Sequence, residues 1–175
     1  AMEAEAVQSL ALEPDVFSSV VIFVYYKSAT ASTIGQSNII YRHDPENSGV
    51  SKAYNEGFKI AEAHGKRWML LLDQDTQFDS SYFIALRDAV QNNSSPVAFV
   101  PKLSDRYGIT SPFRWFLGGG VRTTTSALQL PLSRFRFLNS GLLIHRRAFE
   151  NASGYEEAIR VYFTDIAFGE RLARG

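Results

Sequence analysis

Two aspartates stand two residues apart directly after a short apolar run, in the sequence LLLDQDT at residues 70–76. Carboxylate oxygens are ligands that Mg²⁺ and Mn²⁺ favour, and a cation held in this way neutralises phosphate oxygens. The apolar run predicts a buried strand, and open parallel sheets bind ligands at the carboxyl ends of their strands. The pattern therefore predicts a divalent-metal or phosphate site at Asp73 and Asp75, with an Asx turn or a helix cap as the alternative.

A second polar cluster opens a predicted helix, in the sequence ENSGVSKAYNEG at residues 46–57. Gly49 allows a close backbone approach at a helix N-terminus, where free N–H groups and the helix dipole favour anions. Lys52 and Asn55 lie about one turn apart on one face, within reach of a diphosphate or a ribose. The alternative is an ordinary capped amphipathic helix with solvated polar residues.

A third group of polar residues lies in the last part of the chain, where Asn139-Ser140-Gly141 is followed by Asp165. Asp165 comes after an aromatic pair, at the predicted start of a helix. A carboxylate in that position suits a general base, which needs only hydrogen-bond reach to an acceptor hydroxyl. Helix capping is the alternative. None of the three histidines has metal-ligand spacing, and none is assigned a catalytic role.

The elements that must position these residues alternate between strand and helix. Strands are predicted at residues 18–26, 38–42, 68–72 and 97–101, with helices at 48–64 and 80–90. This alternation predicts a largely parallel sheet with helices on both faces. A polar loop is predicted at 28–37 and a turn at 43–49. The helix at 48–64 is expected to be capped by Ser48, to carry Tyr54 on its apolar face and to end at Gly65. Residues 103–136, rich in Gly, Thr and Pro, are predicted to be a long irregular segment that is either functional or mobile. Further elements are predicted as a helix at 3–12, a strand leading into a short helix at 137–150, and a helix at 162–174.

Composition limits the class of protein. The 175 residues include 18 basic and 18 acidic side chains and no cysteine. Zero net charge argues against a nucleic-acid-binding protein, and the lack of cysteine excludes disulfides, thiolate zinc sites and a cysteine nucleophile. No apolar run approaches the roughly 18 residues that cross a bilayer, and no signal peptide is recognisable. We therefore expect one cytoplasmic or cytosol-facing domain over residues 1–175.

Four segments, taken in order, resemble glycosyltransferase family 2, whose members have the GT-A fold. They are ENSGVSKAYNEGFKIA (46–61), RWMLLLDQDT (67–76), NSGLLIHRRAFE (139–150) and YFTDIAFGERLARG (162–175). The closest likeness is to the rhamnosyltransferase-like branch, in which a DQD box follows a triple-apolar strand. The resemblance implies an α/β, GT-A-like fold with a mostly parallel sheet flanked by helices. Against the family pattern, the first strand is expected to be lacking and both ends of the domain to be short.

The resemblance also implies roles for individual residues. Asp73 and Asp75 match the Asp-x-Asp (DXD) box, which binds Mn²⁺ or Mg²⁺; Asp75 is the better metal ligand, and Asp73 faces the ribose or a metal-bound water. The nucleotide-sugar cleft is expected to be lined by Asn47, Gly49, Lys52, Asn55 and Asp73. The sugar or acceptor side is expected to be lined by Asn139, Ser140 and Gly141. Asp165 matches the acidic residue that deprotonates the acceptor hydroxyl in inverting members.

The implied reaction moves a sugar from dTDP-rhamnose or a UDP-hexose to a saccharide or lipid-linked acceptor in cell-surface polysaccharide synthesis. It is expected in the cytoplasm, with peripheral attachment at the inner face of the membrane. One alternative is a truncated, degenerate transferase-like domain that binds nucleotide weakly or assembles through its exposed sheet edge as a homodimer. A second is a haloacid-dehalogenase-like phosphatase with Asp73 as nucleophile, although Lys102 is the only lysine after Lys66.

Overall fold

The computed structural model describes residues 20–26, 39–73, 75–92, 98–123 and 130–174. Three predictions concern residues outside these ranges: the helix at 3–12, the loop at 28–37 and the lack of a first strand. The strands are β1 (Ile22–Tyr26), β2 (Ile39–His43), β3 (Trp68–Leu70), β4 (Ala98–Phe99), β5 (Leu103–Asp105), β6 (Gly108–Ser111), β7 (Phe113–Phe116), β8 (Gly119–Val121), β9 (Phe135–Arg136) and β10 (Leu143–His145). The helices are α1 (Val50–Ala63), α2 (Ser80–Asn92), α3 (Arg146–Asn151) and α4 (Thr164–Leu172). No helix among the described residues is long and apolar enough to cross a bilayer.

Strands β1 and β2 form a parallel pair in which Ile22 lies opposite Ile39. Their β-branched and aromatic side chains suit strands, as the sequence predicted. Helix α1 follows β2 and also matches its prediction, except at its start. Ser48 was expected to cap the helix, but Gly49 holds the N-cap position without any side-chain cap. The C-terminal stop at Gly65 is confirmed, with φ of +65° there.

The second sheet corrects the prediction of a mostly parallel arrangement. Strand β10 lies between β3 and β4 and runs antiparallel to both, with Leu143 opposite Leu70 and Phe99. Among the strand pairs that the structure describes, only β1–β2 is parallel. Strand–helix alternation implies parallel pairing only where a helix makes the crossover. The chain reaches β10 through hairpins instead, so it enters the sheet from the opposite end.

Residues 103–136 were predicted to be irregular, and their described part corrects that prediction. It folds into short antiparallel strands: β5 pairs with β6, and β7 lies between β8 and β9. Along β7, the half-buried Phe113 and Trp115 alternate with the exposed Arg114 and Phe116. This period of two is the strand signal, but it spans only four residues and the surrounding glycines and prolines obscure it.

Two clusters of buried side chains hold these elements together. The larger cluster joins β10, α3 and α4 through Leu142, Ile144, Phe149, Tyr155 and Phe168, among others. Asp165 lies one helical turn before Phe168, which is 1% exposed, so the packing of α4 holds Asp165 in place.

The smaller cluster consists of Ile22, Phe78 and Phe83, with Leu70 and Leu72 packed against it. The residue that directly follows Leu72 is the first aspartate of the LLLDQDT segment. This packing therefore fixes the point at which the chain leaves β3 and delivers its carboxylates.

Candidate active site

The loop after β3 is joined to the loop before β10 by backbone hydrogen bonds. Leu71 N–H donates to the Leu142 carbonyl at 2.9 Å, and Gly141 N–H donates to the Leu71 carbonyl at 2.8 Å. A side-chain bond extends this contact, because the Ser140 hydroxyl donates to Thr76 Oγ1 at 2.7 Å. Two motifs that are far apart in sequence therefore form one surface.

Asp73 is half-buried in this surface, where the Tyr54 hydroxyl of α1 donates to its Oδ1 at 3.2 Å. Burial raises the pKa of Asp73, and the negative charges of Asp75 and Asp165 raise it further. Hydrogen bonds from Tyr54 and Ser140 act in the opposite direction. Burial and the neighbouring charges therefore outweigh the two hydroxyl donors, and the pKa of Asp73 is raised.

Asp165 is half-buried in the first turn of α4. Its carboxylate accepts from the Ile166 N–H at 2.8 Å, and burial raises its pKa. The N-cap position of α4 is held by Phe163, at a left-handed φ of +65°, without a side-chain cap. The bond of Asp165 to a backbone N–H of the first turn is a contact that the capping alternative also expects. The charge of Asp165 also contributes to the raised pKa values of Tyr54 and Asp73.

Two tyrosines that the sequence analysis did not single out form an aromatic wall beside the carboxylates. The Tyr155 hydroxyl donates to Asn139 Oδ1 at 2.7 Å, and its ring stacks on Phe168. The ring of Tyr54 lies 4.9 Å from that of Tyr155. Tyr54 had been assigned only to the apolar face of α1. A tyrosine on such a face, with a hydroxyl that needs a partner, is the signal that was missed.

Gly141 is a tightly enclosed position in the same loop. Its φ is +75°, and a Cβ there would lie 2.7 Å from Pro101 and 2.8 Å from Phe78. The Tyr82 hydroxyl of α2 donates to its carbonyl. Only glycine fits this backbone, so Gly141 shapes the loop that carries Asn139 and Ser140; a contact of these residues with sugar or acceptor stays a prediction.

Three of the five residues predicted for the nucleotide-sugar cleft, Asn47, Gly49 and Asn55, lie against the segment that precedes α4. The Val50 N–H, just after Gly49, donates to the Arg160 carbonyl at 2.8 Å, and a Cβ on Gly49 would meet that oxygen. The Arg160 guanidinium donates to the Asn47 carbonyl at 2.6 Å. The N-terminus of α1 is therefore occupied by backbone of the same chain.

Asn55 makes three hydrogen bonds to the same segment. It donates to the Tyr155 carbonyl at 3.0 Å and to Glu157 Oε1 at 2.9 Å, and it accepts from Tyr155 N–H at 2.9 Å. Lys52 donates to Ser48 Oγ at 3.3 Å. The contacts of Asn55 hold the chain that leads to Asp165, whereas that of Lys52 stays within the start of α1. The roles of Asn47, Gly49, Lys52 and Asn55 in donor binding stay predictions.

Asp44, which was predicted to lie in a turn, joins the end of β1 to the start of α1 through hydrogen bonds. It accepts from the Tyr25 hydroxyl at 2.7 Å and from Ser48 N–H at 2.6 Å. These bonds lower the pKa of Asp44 to about 2. The pKa of Tyr25 rises to about 12, chiefly by burial and then through its bond to Asp44. The sequence signal was an aspartate at the carboxyl end of a strand, obscured by the Pro, Asn and Gly around it.

The carboxylates near β3 suit a hard cation. Among the described residues, no Lys or Arg forms an ion pair with Asp73, Asp75 or Asp165. No three Asp, Glu or His side chains of the described ranges already form a metal-binding group. Oxygen donors with uncompensated negative charge fit Mn²⁺ or Mg²⁺, which complete their coordination with water and substrate oxygens.

Comparison with known protein families gives a match over most of the chain. The sequence model described as "Glycosyl transferase family 2" matches residues 25–153 of the chain. That range contains the Asp73–Asp75 pair and the Asn139–Gly141 loop, and it ends before Asp165. No curated protein matches the chain.

Proposed function

Because the chain belongs to glycosyltransferase family 2, which comprises nucleotide-sugar transferases of the GT-A α/β fold, we propose that it is a metal-dependent inverting enzyme. The proposed donor is dTDP-rhamnose or a UDP-hexose, and the LLLDQDT segment, which resembles the rhamnosyltransferase-like branch, supports the former. The proposed acceptor is a saccharide or a lipid-linked saccharide of cell-surface polysaccharide synthesis. A lipid-linked acceptor implies a reaction at the cytoplasmic face of a membrane.

The proposal depends above all on one observation, the convergence of three carboxylates from distant parts of the chain. Asp73 and Asp75 follow β3, whereas Asp165 lies in the first turn of α4. The charges of Asp75 and Asp165 raise the pKa of Asp73. Like charges brought near one another, two of them on the half-buried Asp73 and Asp165, cost folding free energy. Such an arrangement is typical of sites in which the charges act on a ligand.

Asp165 is the proposed general base. Its carboxylate takes the proton of the acceptor hydroxyl while the hydroxyl oxygen attacks the anomeric carbon of the donor sugar. The new carbon–oxygen bond forms on the face opposite the diphosphate, whose bond to the sugar breaks and whose oxygen keeps the electron pair. A raised pKa supports this role, because a base is most effective when its pKa approaches the working pH.

Asp73 and Asp75 are the proposed ligands of Mn²⁺ or Mg²⁺. When bound, such a cation supplies positive charge to the leaving diphosphate. Tyr54 holds Asp73 through its hydroxyl and thereby limits the rotation of that carboxylate. The Ser140–Thr76 bond ties the proposed acceptor loop to the loop of the two aspartates, so donor and acceptor sides keep a constant separation.

Calorimetric titration of UDP and dTDP in the presence of Mn²⁺ tests donor binding. We expect submillimolar binding that Asp75→Ala abolishes, because the substitution removes one of two metal ligands. The matched control is Asp88→Ala, at an exposed aspartate on α2 whose ion pair with Arg87 is solvent-screened. It should bind as the wild type does.

Each other outcome selects an alternative. Nucleotide binding without transfer from any nucleotide-sugar would indicate the degenerate, non-catalytic domain. Absence of nucleotide binding, together with hydrolysis of a generic phosphoester that Asp73→Asn abolishes, would indicate the phosphatase. Equal binding by the wild type and Asp75→Ala would contradict the proposed metal site.

A further inference from the structure

One face of the β8–β7–β9 sheet points to solvent although it is largely apolar. Directly opposed residues of antiparallel strands share a face, and Arg114 of β7 lies opposite Val121 and Phe135. Phe116, two residues further along β7, is on the same face. Phe116 is 63% exposed and Val121 is 52% exposed. We call this surface, with the adjoining turn residue Leu117, the hairpin face.

The other face of the sheet is turned toward the protein. Phe113 and Trp115 are half-buried there, and Arg136 is 8% exposed. The side chain of Arg136 forms an ion pair with Glu170 of α4 at 3.4 Å. The hairpin face is therefore the outer surface of a sheet whose inner surface is already packed.

The turn of the β7–β8 hairpin holds an exposed leucine in an unfavourable conformation. Leu117 has φ of +48° and Gly118 has φ of +78°, the positive values of a tight turn that favours Asn-Gly. Leu117 is also 90% exposed. Asparagine would lower the conformational cost and remove the exposed apolar surface. A leucine that is disfavoured on both counts points to a contact that the isolated chain does not make.

The charge of this region is strongly one-sided. Residues 98–138 contain six basic side chains and one acidic side chain, whereas the whole chain is neutral, so the remainder carries a net charge of −5. Asp105, the single acid, is paired with Arg122 at 2.8 Å. Among the ion pairs of described residues, none involves Lys102, Arg106, Arg114 or Arg134.

We propose that the hairpin face docks on an anionic lipid membrane, with Phe116 and Leu117 at the level of the headgroups and acyl chains. Exposed apolar side chains beside an arginine without an ion pair, in a region of net positive charge, are the combination that binds such interfaces. A second copy fits less well, because a two-fold contact through this face would bring the two Arg114 side chains together. This inference does not depend on the proposed transfer reaction, and its test requires no nucleotide-sugar.

The decisive variant is Leu117→Asn, measured by co-sedimentation with vesicles of phosphatidylcholine alone or mixed with phosphatidylglycerol. The wild type should bind the anionic vesicles and bind less as salt is added. Leu117→Asn should weaken binding roughly tenfold while leaving the melting temperature equal or higher, since asparagine suits the turn. Arg114→Gln should weaken binding about fivefold. Ile84→Ser, at a residue of α2 that is 45% exposed, is the matched control and should bind as the wild type does.

Three results would overturn the proposal. One is the absence of wild-type binding to anionic vesicles, and another is equal binding by Leu117→Asn and Ile84→Ser. The third is a dimer in analytical ultracentrifugation that Leu117→Asn dissociates, with no vesicle binding, which would assign the hairpin face to a second copy of the chain.

Discussion

Two regions of this molecule shield aspartates from water but shift their pKa values in opposite directions. At the start of α1, Asp44 is only 8% exposed, yet its pKa is lowered to about 2 by hydrogen bonds from Tyr25 and Ser48. In the candidate site, Asp73 and Asp165 retain more exposure, yet their pKa values are raised. At Asp44, hydrogen bonds from Tyr25 and Ser48 outweigh the effect of burial on the pKa. At Asp73, burial and the charges of two further carboxylates outweigh the two hydroxyl donors, and at Asp165 burial outweighs the backbone donors.

The comparison separates a structural carboxylate from carboxylates suited to chemistry. Ionisation of Asp44 is more favourable in the folded chain than in the unfolded one, because the groups around it stabilise the negative charge. Ionisation of Asp73 and Asp165 is less favourable in the folded chain than in the unfolded one. The described part of the chain brings no cationic side chain to pair with them. That cost is offset only when a ligand or cation arrives, as at binding and catalytic sites.

The largest expected effect is on transfer by Asp165→Asn. Loss of a general base should lower the rate of sugar transfer by about 10²–10⁴-fold, because asparagine cannot take the hydroxyl proton. The measurement is product formation from a nucleotide-sugar, and the wild-type rate should rise with pH through the raised pKa of Asp165. Asp88→Asn is the control, and an undiminished rate in Asp165→Asn would remove this residue from the mechanism.

Asp44→Asn should lower the melting temperature by several degrees near neutral pH. A folded-state pKa below the unfolded value stabilises the fold above the unfolded pKa, and this contribution is lost as pH falls through the folded one. The gap between wild type and variant should therefore close between about pH 4 and the folded pKa of about 2. Thermal unfolding followed by circular dichroism across that window measures it. A gap that persists unchanged at the low end would show that the charge of Asp44 is not what stabilises α1.

Asp73→Asn should shift the melting temperature in the opposite direction, upward by a few degrees near neutral pH. A raised folded-state pKa means that ionisation opposes folding, so the wild type loses stability as pH rises through that pKa. Below about pH 4 the wild-type carboxyl is protonated in both states, and the two proteins should melt alike. The same unfolding series serves as the test. A lower melting temperature for Asp73→Asn than for Asp88→Asn at neutral pH would contradict the comparison.

Local sequence patterns were sufficient for much of the fold. The strands β1 and β2, the helices α1, α2 and α4, and the stop at Gly65 follow from β-branched runs, helical spacing and glycine chemistry within each segment. They failed where structure depends on distant partners. The antiparallel entry of β10 and the hairpins at residues 103–136 arise from pairing with other strands, which a four-residue alternation does not reveal.

The candidate site shows the same division. The types and spacing of Asp73 and Asp75, and the aspartate at the start of α4, mark them as candidate carboxylates from sequence alone. The contribution of Tyr54 was missed because it depends on a helix packing its apolar face over the end of β3. The occupation of the α1 N-terminus by the Arg160 carbonyl was also missed, because the two residues are far apart in the chain.

The sequence by itself determined which side chains carry negative charge, where helices and strands of local origin begin and end, and which family the chain belongs to. Only the tertiary structure decided which aspartates are stabilised and which oppose one another. The physical reason is that a pKa depends on burial and on charges a few ångströms away, and folding alone sets those distances. Asp44 and Asp73 each follow a strand and look alike in sequence, but their surroundings shift their pKa values in opposite directions.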